Sequence, residues 1–581
     1  MNLATPLQRR SGTEAIQIPT SRPPADVDVL VVGAGPSGLG TALELRRHGA
    51  DVAVVEAATE ATIARAGAFG HSARTVEFFR QWGVVDRIRK EWTFPPEWNH
   101  GTLFLTSLAG HELAGSSHRD FSGVRHGPHS AEQAIRRPQT VLQKVFLESL
   151  VEQDVIVSGG WRVIGMTQTD AGVTVELRAE AGGERRAVRA RYVVGADGSR
   201  STVRQLAGIT RSGDYVTERY FRVVVRTHGD PFDAAGRFPS ATNIIFNNTY
   251  TGFLAALNAT DWRIHVGPFP LDHQPADEEF LAVGRSAFGS DVELEVLSAT
   301  PFFRSTRIAD AFRKGRILLV GDAAHVRAPG GNLGEGFGDV FNLGWKLAAV
   351  LDGTAGEALL DSYHEERRVH NERVANHALA SSQAGQERWE EIRRIGVPDD
   401  ADTSPDAQDK RQQIGEILSS DREYPIGVTF DERYDRSSAI WYHDGQPEND
   451  EPWDAHRYLP QGRPGHRAPN GNVDPYGDTL YDRLGSHVAL LVLTRDAGLV
   501  PLFRDAAAQR GIPLDVVYVE DAAARALYGS DFALVRPDHH VGWSGNAGEP
   551  ISAGAVLDRI YARNEAKPIG QHRSELAESP A

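Results

Sequence analysis

Three short glycine motifs, in a fixed order, carry the chemistry that this chain can do. Gly33-Ala34-Gly35-Pro36-Ser37-Gly38 follows an apolar run at 27–32. Gly195-Ala196-Asp197-Gly198 closes a second apolar run, and Gly321-Asp322-Ala323-Ala324-His325 follows a third at 316–320. In the first motif, Gly33 permits a tight turn after a strand, and Gly35 lets a pyrophosphate approach the backbone. Gly38 lets helix and sheet pack closely. Pro36 and Ser37 open the helix whose N-terminus then faces the phosphates. Glu56 ends a second short strand about 20 residues on, where an acid receives ribose hydroxyls. Asp322, directly after a buried strand, can accept hydrogen bonds from the ribityl hydroxyls of a flavin. Gly330-Gly331-Asn332-Leu333-Gly334-Glu335-Gly336 then leads towards a helix at 339–351. Its backbone N–H groups and helix N-terminus would stabilise negative charge on a reduced flavin ring. Each motif alone could be an ordinary strand–turn–helix; together they are what holds one FAD along its length.

Elements of an α/β fold must position these residues. Residues 27–56 read as a β-α-β unit, with Leu39, Ala42, Leu43 and Leu45 on the apolar side of its helix. Val76, Phe79, Trp82 and Val85 recur at spacings of three and predict a helix over 73–89. A second helix is expected at 138–151, antiparallel strands at 161–177, and buried strands at 191–196 and 316–320. The strand-like stretch 220–269 turns at Asn247-Asn248 and Asn258-Ala259-Thr260. It would form a sheet lying over the nucleotide domain. A long helix at 356–391, a loop at 398–405 and surface loops at 444–475 follow. Strands at 486–493, 514–519 and 533–536 with a helix at 500–510 form a compact tail.

The expected domains are a flexible segment 1–26 and a discontinuous cofactor domain 27–205 and 300–395. A substrate sheet 206–299, which segments near 90–135 could join, comes between them. A linker 396–475, a C-terminal domain 476–565 and a flexible tail 566–581 complete the chain. A length of 581 residues suits two or three such domains. Hydrophobic content of 40% and charged content of 24% are those of a soluble globular protein. No apolar run is long enough for a bilayer, and no apolar signal core follows Arg9-Arg10, so a cytoplasmic protein with no membrane partner is expected. The formal charge of -16 argues against nucleic acid. The absence of cysteine excludes disulfides, thiolate metal sites and the redox pair of the disulfide reductases, which open with the same glycine motif.

The three motifs in this order resemble the class A flavoprotein aromatic hydroxylases, built on the para-hydroxybenzoate hydroxylase fold. Asp197-Gly198-Ser199-Arg200-Ser201-Thr202-Val203-Arg204 looks like the family's Asp-Gly motif, which serves both FAD and NAD(P)H. Arg65-Ala66-Gly67 and Ala73-Arg74-Thr75-Val76-Glu77 look like the segment whose Arg meets the pyrophosphate, and Pro138-Gln139 like the Gln that touches the ribityl chain. Asn342-Leu343-Gly344-Trp345-Lys346-Leu347 is similar to the family's helix after the flavin loop. Arg433-Tyr434-Asp435-Arg436-Ser437-Ser438-Ala439-Ile440, Pro464-Gly465-His466-Arg467-Ala468-Pro469 and Leu534-Val535-Arg536-Pro537-Asp538 resemble the phenol, chlorophenol and polyketide hydroxylases. That subgroup carries a thioredoxin-like tail. The resemblance implies a Rossmann-like FAD-binding domain, an inserted mixed β-sheet substrate domain and a C-terminal thioredoxin-like domain. Without cysteine the tail's role would be structural or in forming a homodimer. NADPH or NADH, as a transient co-substrate, would reduce FAD. Oxygen would add at flavin C4a, and the hydroperoxide would hydroxylate a phenolic or polycyclic aromatic substrate. A base or polar relay that ionises the phenol would help, and water must be kept out.

The chain departs from the family in places. The loop between His325 and Asp339 is shorter than the usual Pro-x-Gly-Gly-x-Gly-x-Asn-x-Gly, and Asn332 is out of register. Leu257-Asn258-Ala259 stands where benzoate hydroxylases carry Ser-x-Arg, so a simple benzoate is not the expected substrate. Phe69 occupies the place of a phenol hydroxylase Asp, with His71 two residues on. His71 is the candidate base, with a structural histidine as the alternative. Tyr220 and Arg222 begin the substrate sheet as candidate phenol contacts, with packing as the alternative. His325 reads as structural, with no metal-ligand cluster around it. Baeyer–Villiger or epoxidase chemistry fits the same scaffold. A halogenase would need Trp-x-Trp-x-Ile-Pro, which Trp262-Arg263-Ile264-His265 lacks. A flavin-loaded binding protein without turnover is the remaining alternative.

Overall fold

Apolar runs with no polar alternation must be covered on both faces, and here they are. In a computed structural model, which describes residues 15–61, 70–98, 101–115, 129–232, 240–327, 332–419, 425–474 and 478–563, they form one parallel sheet. Its strands are β1 (Asp26–Val32), β2 (Val52–Glu56), β3 (Ile156–Gly159), β4 (Arg185–Gly195) and β5 (Ile317–Leu319). Their spatial order is β5-β4-β1-β2-β3. Helix α1 (Pro36–Arg47) crosses from β1 to β2 and packs against α2 (Gln139–Glu152) and α3 (Asn332–Leu351). Val29, Leu30 and Val31 are fully buried beneath them. An antiparallel hairpin, Trp161–Thr169 and Gly172–Ala179, extends the sheet from β4.

The second sheet is mixed and has eight strands. Arg211–His228 lies at its heart, between Glu293–Ala309 and Asp261–Phe269. Thr251–Ala256, Thr242–Phe246, Thr102–Leu105 and Glu112–Gly115 continue it on one side. The early segment near residue 100 therefore joins this sheet. On the other side His325–Arg327, which begins on the last residue of the third motif, pairs with Glu293–Ala309. Phe221, Val223, Val225, Trp262, Ile264 and Val266 fill a core on one face of this sheet.

Several sequence expectations need correction. The boundary expected at 299/300 falls inside the strand Glu293–Ala309, which follows its long antiparallel partner past Pro301. The helix expected over 73–89 is two helices, Ala73–Gln81 and Val85–Lys90, because Gly83 turns with φ +71° between them. Helix α3 begins at Asn332, so Gly334 and Gly336 lie inside its first turns. The segment 396–475 is more than linker and surface loops. Helix Pro405–Ser419 buries Ala407, Arg411, Ile414 and Leu418, and its apolar side chains pack on Leu113 and Ala114.

The C-terminal unit is a four-stranded sheet in the order 514–518, 488–492, 532–535, 541–545, with the first pair parallel and the others antiparallel. Helices Leu499–Arg510 and Ala553–Ile560 pack together beside it, in a thioredoxin-like arrangement. Among the described residues no helix is long and apolar enough to cross a membrane.

Buried charges join this unit to the rest. From α4 (Leu359–Ile395), Glu366 accepts two hydrogen bonds from Arg536, at 2.6 and 2.8 Å. It also accepts from Lys346 and Asn342 of α3 at 2.6 Å each. Asp538 pairs with Arg536 and accepts from Asn342 at 3.0 Å. Burial pushes the Glu366 carboxyl up, but Arg536 and Lys346 outweigh it and hold it at about 2. A folded-state value below the ordinary 4.5 contributes stability that is complete above pH about 4.5 and lost as the pH falls towards 2. Urea unfolding at decreasing pH should show this loss, with a shallower acid slope in Glu366→Gln; equal slopes would rule Glu366 out as its source.

Candidate active site

The three motifs meet at the start of α1. A side chain at Gly38 would place its Cβ 1.9 Å from the Gly33 carbonyl oxygen, and one at Gly33 would lie 2.5 Å from the Ala196 oxygen. Gly321 and Gly336 both press on Ser37: added Cβ atoms would lie 2.6 and 2.8 Å from its Oγ. Backbone bonds tie the same turns together. Ala196 N–H donates to Val32, and Val320 N–H donates to Gly195. Glu56 accepts from the amides of Ala34 (2.8 Å) and Ala58 (3.0 Å), which fixes its carboxylate and leaves lone pairs for ribose hydroxyls. Gln139 heads α2. One turn on, Gln143 donates to the Ala34 carbonyl at 2.7 Å, so this helix buttresses the first turn. Gln143 carried no signal in the sequence. Ser201 caps the short helix Thr202–Leu206, accepting from Arg204 N–H at 2.9 Å, and Asp197 accepts from Val203 N–H at 3.0 Å.

These residues fit a bound FAD. Gly35 and Gly198 have open space where a Cβ would stand. Gly35 and Ser37 are half-buried, whereas Gly33, Ala34, Pro36 and Gly38 are buried, so the phosphate-facing side of the turn is open. Asp322 reaches solvent, yet protein surrounds it closely enough for burial to push its carboxyl up, against the opposing effect of His325. Asn332 donates to Asp322, and its side-chain oxygen lies 2.9 Å from His325 Nδ1. The residue that looked out of register thus closes the turn. Arg65 lies outside the described residues, as does Phe69.

One carboxylate holds the third motif in place. Asp339 of α3 is fully buried and accepts from Gly321 N–H (3.1 Å), His325 Nε2 (2.6 Å), Arg367 Nε (2.9 Å) and Asn371 Nδ2 (3.2 Å). Burial opposes its charge, but His325 and Arg367 outweigh that and lower its pKa. Burial likewise opposes the His325 cation, and Asp339 raises it.

Tyr220 and Arg222 lie on the face of the second sheet opposite its core. Cross-strand partners share a face, so Arg222 stands with His265 and Thr300, and Tyr220 with Phe302. Arg263 and Phe253 belong to the same face. Tyr220, Phe302, His265 and Phe253 follow one another at ring-centroid distances of 5.7, 5.2 and 5.3 Å. The alternation of Trp262, Ile264 and Val266 into the core is the signal that places Arg263 and His265 here. Burial lowers the Arg222 pKa, and Asp322 opposes that shift, so this aromatic face lies within the electrostatic reach of the third motif.

His71 is elsewhere in character. It is buried in a two-residue strand paired with Ile135–Arg136, packs edge-on to Phe79, and bonds the Arg137 carbonyl through Nε2 at 3.0 Å. Burial lowers its pKa to about 4. A surface cavity of about 650 Å³ between α4 and residues 451–457 contains no residue of the three motifs.

Two outcomes follow. Gly38→Val drives a side chain into the Gly33 carbonyl, so the purified protein should lose its yellow colour and bind FAD at least tenfold more weakly, about 1.4 kcal/mol, in a fluorescence titration. Unchanged affinity would show that this turn does not cradle the cofactor. Asp339→Asn leaves Arg367 and His325 short of their counter-charge, and urea titration should show about 3 kcal/mol of lost stability. An unmoved midpoint would remove Asp339 from that role.

Comparison with known proteins gives the same picture. Residues 26–378 match a family described as FAD binding domain, and residues 461–564 one described as aromatic-ring hydroxylase, C-terminal. The chain is 31% identical to 4-methyl-5-nitrocatechol 5-monooxygenase of Burkholderia sp over 576 residues, 94% of this chain and 99% of the relative. The rebeccamycin biosynthetic enzyme RebC with reduced flavin superposes with a TM-score of 0.81 at 29% identity, covering 93% of this chain and 100% of RebC. Aklavinone-11 hydroxylase, in complex with FAD and aklavinone, gives 0.77 at 28%, covering 92% and 99%. With its FAD site and its aromatic-ring hydroxylase tail, this chain belongs to the FAD-binding aromatic-ring hydroxylases and is a flavoprotein monooxygenase.

Proposed function

We propose that the enzyme hydroxylates a phenolic or polycyclic aromatic ring at the expense of O2 and NAD(P)H. In balance, the ring C–H, O2, NAD(P)H and a proton give the ring C–OH, water and NAD(P)+. The observation that carries this reading is the aromatic face of Tyr220, Phe253 and Phe302, with Arg222 in the electrostatic field of Asp322. The relatives' names, a nitrocatechol monooxygenase and an aklavinone hydroxylase, support an aromatic substrate.

Bound FAD supplies the redox chemistry that passes two electrons from the nicotinamide to oxygen. The protein's own residues hold and orient. The first turn and the N-terminus of α1 take the diphosphate, and Glu56 the ribose. Asp322 takes the ribityl hydroxyls, with Gln139 at the head of α2 as a second contact. The N-terminus of α3 would favour negative charge on the ring system. Tyr220, Phe253 and Phe302 hold the substrate ring and keep water from it. Arg222 stabilises the ionised form of the substrate's hydroxyl, which makes the ring the better nucleophile. His71, near pKa 4, is poorly matched to removing a phenol proton at neutral pH and has a packing role in this scheme.

The test is aerobic NADPH and NADH oxidation by the yellow protein with a panel of phenols and polycyclic phenolic ketones. At least one compound should speed oxidation by about tenfold or more, equivalent to about 1.4 kcal/mol of barrier, and give a product heavier by one oxygen. Bound FAD with no stimulation by any compound, or stimulation that yields only hydrogen peroxide, would count against hydroxylation.

A further inference from the structure

The first turns of α3 carry an acid between two glycines of the third motif's loop, Gly334-Glu335-Gly336. Gly336 packs on the cofactor turn: an added Cβ would stand 2.8 Å from Ser37 Oγ and 3.2 Å from Gly321 Cα. A carboxylate in the first turn of a helix ordinarily offsets part of the positive end of the dipole. The Glu335 carboxylate is held by basic side chains of two other elements. His370 Nε2 of α4 lies 2.9 Å from it, Arg367 of α4 donates to it at 3.2 Å, and Arg327 of the edge strand His325–Arg327 is 3.9 Å away. Arg327, Arg367 and His370 are all buried. Burial pushes the Glu335 carboxyl up, but His370, Arg327 and Arg367 outweigh it and hold it at about 2, so the group is ionised at neutral pH.

Glu335 is one of three carboxylates in a single network. Arg367 also bonds Asp339 and Glu432, and His325 pairs with Asp339. Glu335, Asp339 and Glu432 are thus set among Arg327, Arg367, His325 and His370. Of the three acids, Glu335 is the one flanked by glycines of the cofactor loop. Its charge is fixed there, and its removal would leave the start of α3 more positive by one unit. That matters for a bound flavin. Taking a hydride from NAD(P)H gives NAD(P)+ and adds one negative charge to the flavin ring. A fixed negative charge nearby opposes that step and a fixed positive charge favours it, and under cover from water the effect reaches beyond direct contact.

We propose that Glu335 sets the reduction potential of the flavin: its carboxylate offsets the cations that α4 and the edge strand bring to the start of α3, and so limits how strongly that end of the helix stabilises the reduced ring. The inference rests on the proposed function's placement of the flavin ring by the N-terminus of α3. A flavin held at a lower potential gives its electrons to oxygen with a greater driving force, and oxygen must be activated before the aromatic ring can be attacked.

The test measures the two-electron potential of the FAD-loaded enzyme by anaerobic equilibration with a dye of known potential, at fixed pH. Glu335→Gln, which keeps the size and loses the charge, should favour the reduced flavin by tenfold or more, a positive shift of about 30 mV or more. Glu335→Asp, which keeps the charge, should stay within about twofold of the parent equilibrium. Arg327→Gln should shift the potential in the opposite direction, and it decides the matter alone if Glu335→Gln does not retain FAD. FAD content and melting temperature show that each variant is folded. A merely structural role would lower the melting temperature without shifts of opposite sign. An unmoved potential in the Gln variants, shifts of the same sign in both, or equal shifts in Glu335→Gln and Glu335→Asp would overturn the proposal and leave the hydroxylase reading standing. If the parent protein binds no FAD, both readings fall.

Discussion

Everything at the centre of this protein hangs on the Asp339 carboxylate and the four donors that converge on it. A buried charge of this kind is tolerable only when its lone pairs are filled and its sign is matched. Gly321 N–H, His325, Arg367 and Asn371 do both. In exchange the carboxylate fixes the turn that bears Asp322, the first turns of α3 and the crossing of α4 over it. Removing any one donor leaves the others with fewer ways to stay paired, so the turn behaves as a unit. The glycines complement this arrangement. At Gly338 a side chain would meet the Arg367 guanidinium at 2.6 Å, so the helix must be bare where the arginine passes.

The charge network continues from there into the C-terminal unit. Arg367 also bonds Glu432, which accepts from Tyr434, and Asn342 links Glu366 to Asp538. A thioredoxin-like unit with no cysteine is thus wired into the helices that carry the flavin turn. Apolar contact adds to it: Trp345 and Leu359 pack in the same cluster as Val488, Phe503 and Trp543. Such an interface differs from a flexible tether, because separating it would expose several charges at once.

What could be read from the chain was local. A strand followed by Gly33-x-Gly35-x-x-Gly38, or by Gly321-Asp322, announces its turn through residues a few positions apart. The same holds for the alternating strands near 161–177 and for the order of elements in the tail. What could not be read depends on residues far apart. Gln143 and Arg367 look like ordinary helix-surface residues until the partner helix arrives. The start of α3 was misplaced because three glycines argue against a helix, whereas tertiary contact with Ser37, Thr75 and Arg367 demands them. The helix Pro405–Ser419 was missed because its apolar residues are few and widely spaced. Arg263 and His265 follow a clear alternation, but the nearness of their sheet to the Asp322 turn depends on the pairing of His325–Arg327 with Glu293–Ala309.

That last pairing makes the two sheets one instrument. The backbone that ends in the Asp322 turn is an edge strand of the aromatic sheet, and Arg222 stands two strands away, each step about 4.8 Å. The interval between the Asp322 turn and Arg222 is therefore ruled by hydrogen-bond ladders. Regiochemistry then becomes a matter of length. Under the proposed function, that interval would set which carbon is oxidised, and a homologous ring longer by one fused unit would present a different carbon.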